Sequence, residues 1–222
     1  MTKVIINEES YSISNPTDII KSFILTDPSY EKYDCGEDDE CDWWVEEYIH
    51  LANSGMRSRI SWEKIGKQLN RDEIEKRTGK IPSDTSLEDC SREDIGHLRD
   101  LFSYFLDIEG LAKSTTTKIL HKRFPKLIPV VDSLVERLYF GNNKRGIKRL
   151  MKVILKIRED ISNSENKKLF KGIREELSPA IKNSISNVRI FDILLWMKAR
   201  EDKLKDPEGK NILEGDLLFK KA

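Results

Sequence analysis

Asp132 is the residue whose type and surroundings point most directly to chemistry. It stands in Pro129-Val130-Val131-Asp132-Ser133-Leu134-Val135, where a proline-bounded loop runs into the start of a helix. A carboxylate in that place can stabilise a sugar-centred cation and orient or deprotonate a water. A helix start favours the ionised form of an Asp placed on it. The bland alternative is that Asp132 is an ordinary N-cap, since Asp is preferred there. Upstream, Gly110 supplies a turn because glycine tolerates positive φ, and Lys113, Ser114 and Thr115 open a basic helix. The first N–H groups of that helix lack intrahelical partners and can bind an anion such as phosphate. Lys118 and Lys122 follow one helical turn apart, beside His121, Arg123 and Lys126. Each phosphate such a group neutralises releases counterions. The plain alternatives are a solvated helix face for the lysines and a capping or surface position for His121.

A second set lies near the C-terminal end. Arg189 and Asp192 fall three residues apart on one face of an apolar run, with Trp196 one turn further on. Charges inside such a run need partners, so the pair either ties this helix to the Gly110 region or lines a pocket. Trp196 can stack on a flat ligand, although tryptophan more often serves a core. Trp43 and Trp44 raise the same question, because one of two adjacent helical rings must point away from the core. Glu46, Glu47 and Tyr48 are further pocket candidates without positional support.

The elements that must position these residues are mostly helical. Residues 3–13 alternate around Asn7-Glu8-Glu9, predicting a short β-hairpin with Val4, Ile6, Tyr11 and Ile13 on one side. Helices are expected from Pro16 with Ile19, Ile20, Phe23 and Ile24 inward, from Asp42 to Leu51, from Ser61, and from Arg71 to Arg77. Residues 26–41 read as an acidic loop, and 79–88 as a loop leading to the central unit. Ser91 opens a helix with Ile95, Leu98, Leu101, Phe102 and Phe105 at helical spacing. It would be the first helix of a hairpin whose second runs from 113 to 123. Residues 143–161 are strongly amphipathic, 165–177 form another helix ended by Ser178-Pro179, and 187–200 are apolar nearly all round, which predicts burial. The expectation is an all-α bundle of roughly nine or ten helices. Residues 1–90 would complete the bundle, 91–200 would form the core, and 201–222 would be a tail that packs late or stays loose.

Composition narrows the partners. Lys+Arg and Asp+Glu balance at 39 each, which excludes a generic polycation. The charge is unevenly spread: residues 27–47 hold ten acidic residues and one basic, Lys32, whereas 113–158 hold thirteen basic and two acidic, Asp132 and Glu136. A neutral chain with one positive face suits a selective nucleic-acid binder. Three cysteines, Cys35, Cys41 and Cys90, are too few for a disulfide framework and lack zinc spacing. No metal or cofactor is expected. No apolar run approaches the roughly 20 residues that span a bilayer, and the N-terminus does not read as a signal peptide. A cytoplasmic monomer is expected.

Turn, basic helix start and Asp segment together resemble the helix-hairpin-helix DNA glycosylase superfamily. Its core runs Leu-Pro-Gly-Val-Gly, a basic helix start, then Pro-Val-Asp-x-x-Val. Here Gly110-Leu111-Ala112 stands at the hairpin and Pro129 to Val135 at the Asp segment. Within the superfamily the chain resembles an uncharacterised bacterial branch, with agreement at Thr115, Lys118, Leu120, Lys122, Arg123, Leu127, Pro129, Asp132 and Ser133 and again in the Trp196-Met197 run. Pro125 comes one residue later than that branch's proline, after Phe124. The first 90 residues carry no such likeness.

The resemblance implies double-stranded DNA as partner, with Gly110, Ala112, Lys113, Ser114, Thr115, Lys118 and Lys122 at the phosphates, Asp132 as catalytic carboxylate, and a base pocket near Trp43, Trp44, Arg189 and Asp192. Ser114 stands where bifunctional members carry a Schiff-base lysine, so base removal without strand cleavage is implied, in repair or in defence against modified foreign DNA. Some members carry a four-Cys iron–sulfur cluster near the C-terminus, and this chain has no cysteine after Cys90. Ala112 replaces a second glycine and Glu109 a proline. Both weaken the phosphate site and leave a non-catalytic helix-hairpin-helix DNA-binding protein as the alternative.

Overall fold

The computed structural model describes residues 2–25, 31, 33–34, 43–56, 58–142, 146–204 and 219–221. It is mostly helical, with eleven α-helices among the described residues and a small sheet. The β-hairpin forms as expected, β1 (Thr2–Ile6) antiparallel to β2 (Glu9–Ile13), with Ile6 opposite Glu9. Asn7 and Glu8 take φ of 50° and 70°. Two positive-φ residues make the turn type whose twist suits a two-residue hairpin. An unexpected third strand, β3 (Phe219–Lys221), pairs with β2.

Eight of the helices follow in chain order: α1 (Pro16–Leu25), α2 (Trp44–Ser54), α3 (Trp62–Ile65), α4 (Arg71–Thr78), α5 (Arg92–Leu106), α6 (Lys113–Arg123), α7 (Ser133–Phe140) and α8 (Ile147–Ser162). The last three are α9 (Ser164–Glu176), α10 (Pro179–Ser184) and α11 (Asn187–Leu204). Two expectations fall partly outside the described residues: the Asp42 cap of α2 and the Asn143 start of α8. Two others need correction. The acidic stretch is not all loop, since Tyr33 and Asp34 are helical and Tyr33 is buried. Ser178-Pro179 also starts a helix, α10, because proline is well tolerated at the first helical position.

One hydrophobic core runs from Val4 to Leu195 and joins the first 90 residues to the rest. Helix α11 is its axis, packing against α1, α7 and α8. Val188, Ile190, Phe191, Ile193, Leu194 and Leu195 are all buried, so α11 has apolar neighbours on every side. The sheet rests on α9. Asn166 there both accepts from the Ile5 N–H (2.8 Å) and donates to its carbonyl (2.7 Å). Asp160 of α8 accepts from the Asn7 N–H (2.9 Å) and the Tyr139 hydroxyl (2.6 Å).

Helices α5 and α6 meet through the turn 107–112. A reciprocal cap opens α5: Ser91 Oγ accepts from the Asp94 N–H, and the Asp94 carboxylate from the Ser91 N–H. Gly110 takes φ +97°. A Cβ there would meet only Ile65, at 3.8 Å, so the backbone angle rather than space calls for glycine. Gln68 holds the turn, accepting from the Glu109 N–H at 3.1 Å and donating to its carbonyl at 3.2 Å.

Candidate active site

Between α1 and α11 lies a cleft of about 1020 Å³. Asp132, Lys118, Arg189 and Asp192 line it, together with Phe23 and Trp196. These four charged residues come from three elements: α6, the Pro129–Asp132 segment and α11.

Asp132 sits at the N-cap of α7 and is half-buried. Its Oδ1 accepts the N–H groups of Leu134 (2.8 Å) and Val135 (2.9 Å). That satisfies two orphan donors of the helix. Among the described residues Oδ2 has no hydrogen-bond partner. The capping role and a position on the cleft wall therefore coexist in one side chain.

Side chains hold the extended segment before Asp132. The Val130 N–H donates to Asp192 Oδ2 at 2.9 Å, and the Val131 N–H to Thr117 Oγ1 at 3.1 Å. Ser186 donates to the Pro125 carbonyl (2.5 Å) and accepts from the Arg189 N–H (3.0 Å), so the start of α11 is pinned to the same loop.

Asp192 is almost fully buried, and its Oδ1 has no hydrogen-bond partner among the described residues. Burial pushes its carboxyl well above the usual range, against the pull of Arg189 and the Val130 N–H. Both Arg189 and Asp192 line the cleft, and each finds its partner elsewhere than in the other. Arg189 instead donates Nε and Nη2 to Asp34 at 2.7 and 3.0 Å, with its guanidinium 5.4 Å from the Phe23 ring centre and 5.6 Å from that of Tyr33. A two-pronged bond matches a planar fork to a carboxylate better than a pair on one helix could.

Lys118 was expected on an outer phosphate-binding face. Its ammonium points inward, donating to the Met56 carbonyl at 2.7 Å, with Ser58 Oγ at 3.4 Å. Burial lowers its pKa, opposed by the charge of Asp132. His121 is buried rather than on the surface. Its Nδ1 lies 2.5 Å from the Ile128 carbonyl and its ring stacks on Tyr33. Burial brings its pKa down to about 3, so the imidazole is neutral.

The turn side of the site differs more from expectation. Lys113 pairs with the buried Glu136, which also holds Arg149 at 3.2 Å. Its charge is thus committed inside the protein. Gly110 and Ala112 are exposed, Ser114, Thr115 and Lys122 half-buried. Trp43 and Trp44 do not line the cleft. Trp43 packs edge-on against Trp62, and Trp44 lies against Tyr48 with the Arg123 guanidinium 5.7 Å from its ring centre. The aromatic walls are Phe23 and Trp196, set edge to face at 5.6 Å, with the Arg200 guanidinium 5.2 Å from the Trp196 ring centre. Phe23 shares its helical spacing with the buried Ile19, Ile20 and Ile24, and periodicity alone cannot separate a core position from a cleft wall.

Of the basic residues in 113–158, Arg123, Lys126, Arg137, Lys148 and Lys152 are exposed. Lys156 pairs with Glu8 and Glu159, and Arg158 donates to the Cys90 carbonyl. Among the described residues no group of three His, Cys, Asp or Glu could hold a metal ion, and no helix is long and apolar enough to cross a membrane.

No curated protein and no solved structure matches the chain. A protein family of unknown function, DUF6308, matches residues 51–199, a span carrying Lys118, Asp132, Arg189, Asp192 and Trp196. The chain belongs to that family.

Proposed function

We propose that the protein is a monofunctional DNA glycosylase of the helix-hairpin-helix type. It binds duplex DNA, extrudes a damaged or modified base, and cuts the N-glycosidic bond with Asp132 and a water. The observation that carries this reading is the position of Asp132: on the wall of a cleft large enough for a base, one loop after a helix–turn–helix with Gly110 at positive φ. Extruding a base costs a few kcal/mol, least for a mispaired or damaged one. Phe23 and Trp196 offer flat apolar walls to such a base.

A second reading, a DNA-binding protein of the same architecture without catalysis, draws on Lys113. Its ammonium is engaged with Glu136, and Ala112 and Glu109 already depart from a phosphate-binding turn. One assay separates the two. Duplexes carrying assorted damaged and modified bases are incubated with the protein and then heated in alkali to reveal abasic sites. Base release that Asp132→Asn abolishes supports the glycosylase. DNA binding without release on any duplex, unchanged in Asp132→Asn, supports the binding protein. Strand cleavage without alkali, with an adduct trapped by borohydride, would defeat the monofunctional assignment; the Lys118 amine would be the first place to look for it.

A further inference from the structure

The cleft holds two carboxyl groups in unlike settings. Asp132 is half-buried at a helix start and accepts two backbone N–H bonds. Asp192 lies on the floor, almost fully buried, with one oxygen bonded to the Val130 N–H and the other without a partner among the described residues. The charged and titratable groups around Asp192 are Arg189 on its own helix, Tyr33 and Asp34, His121 on α6, Asp132, and Tyr139 on α7. Arg189 is committed to Asp34, and His121 is neutral and bonded to Ile128. Arg189 therefore pulls Asp192 toward the ionised form without bonding to it, and burial outweighs that pull, with two other carboxylates, Asp34 and Asp132, adding to the push. Burial with one oxygen unpartnered among the described residues pushes such a carboxyl toward its neutral form, and a neutral carboxyl carries a proton it can give. One half-buried carboxyl at a helix start and one almost fully buried carboxyl across the same cleft are suited to divide acid and base roles.

We infer that Asp192 is the general acid of the site, protonating the departing base while Asp132 deals with the water. The inference rests on the base-removal reading above. It fixes the substrate class as neutral bases that leave only when protonated on a ring nitrogen or carbonyl oxygen. The C1′–N bond breaks and its electron pair stays with the base, which takes the Asp192 proton. The water oxygen bonds to C1′ and its proton passes to Asp132. The products are the free neutral base and the sugar hemiacetal. Exchange with solvent then returns the proton from Asp132 to Asp192.

The test compares leaving groups. A cationic N7-alkylated purine departs as a neutral base without an acid, whereas a neutral modified base does not. Wild type and Asp192→Asn are assayed on duplexes of both kinds; Asn retains an oxygen for the Val130 N–H. The expected result is a loss of about 100-fold or more on neutral bases with a loss under about threefold on the cationic one. Because both rates come from the same folded variant, partial instability cannot mimic that split. An equal loss on both substrates, or none on either, overturns the acid role. So does a wild-type enzyme that releases only cationic bases. An infrared difference spectrum of wild type against Asp192→Asn at neutral pH is expected to show a protonated carboxyl band; an ionised carboxylate there, in a wild type that releases bases, overturns this inference and leaves the glycosylase reading standing. Absence of release by wild type from any duplex overturns both.

Discussion

The guanidinium of Arg189 closes on Asp34 through bonds of 2.7 and 3.0 Å, leaving Asp192, three residues along its own helix, without that partner. Both members are nearly inaccessible, at 4% and 2% side-chain exposure. Removing one member of a buried pair strands the other, at a cost of about 3–5 kcal/mol. Arg189→Met and Asp34→Asn are each expected to destabilise by about that much, and the double variant by less than the sum. Urea unfolding of the four proteins measures it; full additivity would mean that the two groups are not coupled.

Asp132→Asn is expected to abolish base release with little effect on stability, since Asn caps a helix about as well as Asp. Asp132→Ala is expected to abolish release and also to cost about 1 kcal/mol from the lost cap. A Tm series beside the activity assay separates the chemical role from the capping role.

The exposed and the committed lysines are expected to behave differently on DNA. Lys148→Ala and Lys152→Ala each remove an exposed charge. Where the residue contacts a phosphate, each should lower the salt slope of binding by about 0.9 without changing Tm. Lys113→Met leaves the buried Glu136 with fewer partners and is expected to lower stability more than it changes the salt slope. Titrations at several salt concentrations decide this.

His121 gives the fold an acid limit. Its folded pKa is about 3 against an ordinary 6.5. Between those values the unfolded chain binds a proton that the folded chain refuses, so stability falls as pH falls through that window. Asp192 has the opposite sign: its raised pKa contributes most below the ordinary carboxylate value, and that contribution is lost as pH rises. Melts of wild type and His121→Gln from pH 6.5 down to about 3 are expected to show a shallower acid decline in the variant.

Much of the fold was legible where the deciding interactions are local. Ser91 and Asp94 cap α5 within four residues, and the alternation in 3–13 becomes a hairpin. The spacing of Leu150, Ile154, Ile157 and Ile161 buries one face of α8. Asp132 was legible for the same reason, because an N-cap is a local event. Side-chain direction at long range was not. Lys118 turns toward a carbonyl 62 residues earlier in the chain and Arg189 toward a carboxylate 155 residues earlier. No periodicity encodes either partner. His121 looked solvated because Lys122 and Arg123 follow it, yet a helix turns about 100° per residue, enough to bury one and expose the next but one. The two tryptophans failed similarly, as a pair of rings says nothing about which cavity, if any, lies beside them.

The segment that presents Asp132 belongs neither to a helix nor to a sheet, yet Asp192 and Thr117 take the N–H groups of Val130 and Val131, and Asp132 itself begins α7. One jaw of the cleft is thus fastened to three helices. The opposite jaw, from Ser14 to Phe23, includes Asn15 in the left-handed region at φ 50°. That jaw is anchored by packing instead, through the buried Ile19, Ile20 and Ile24 of α1. Hydrogen exchange should register the fastening by side chains as slow amides at Val130 and Val131, in a stretch whose irregular backbone would otherwise exchange fast.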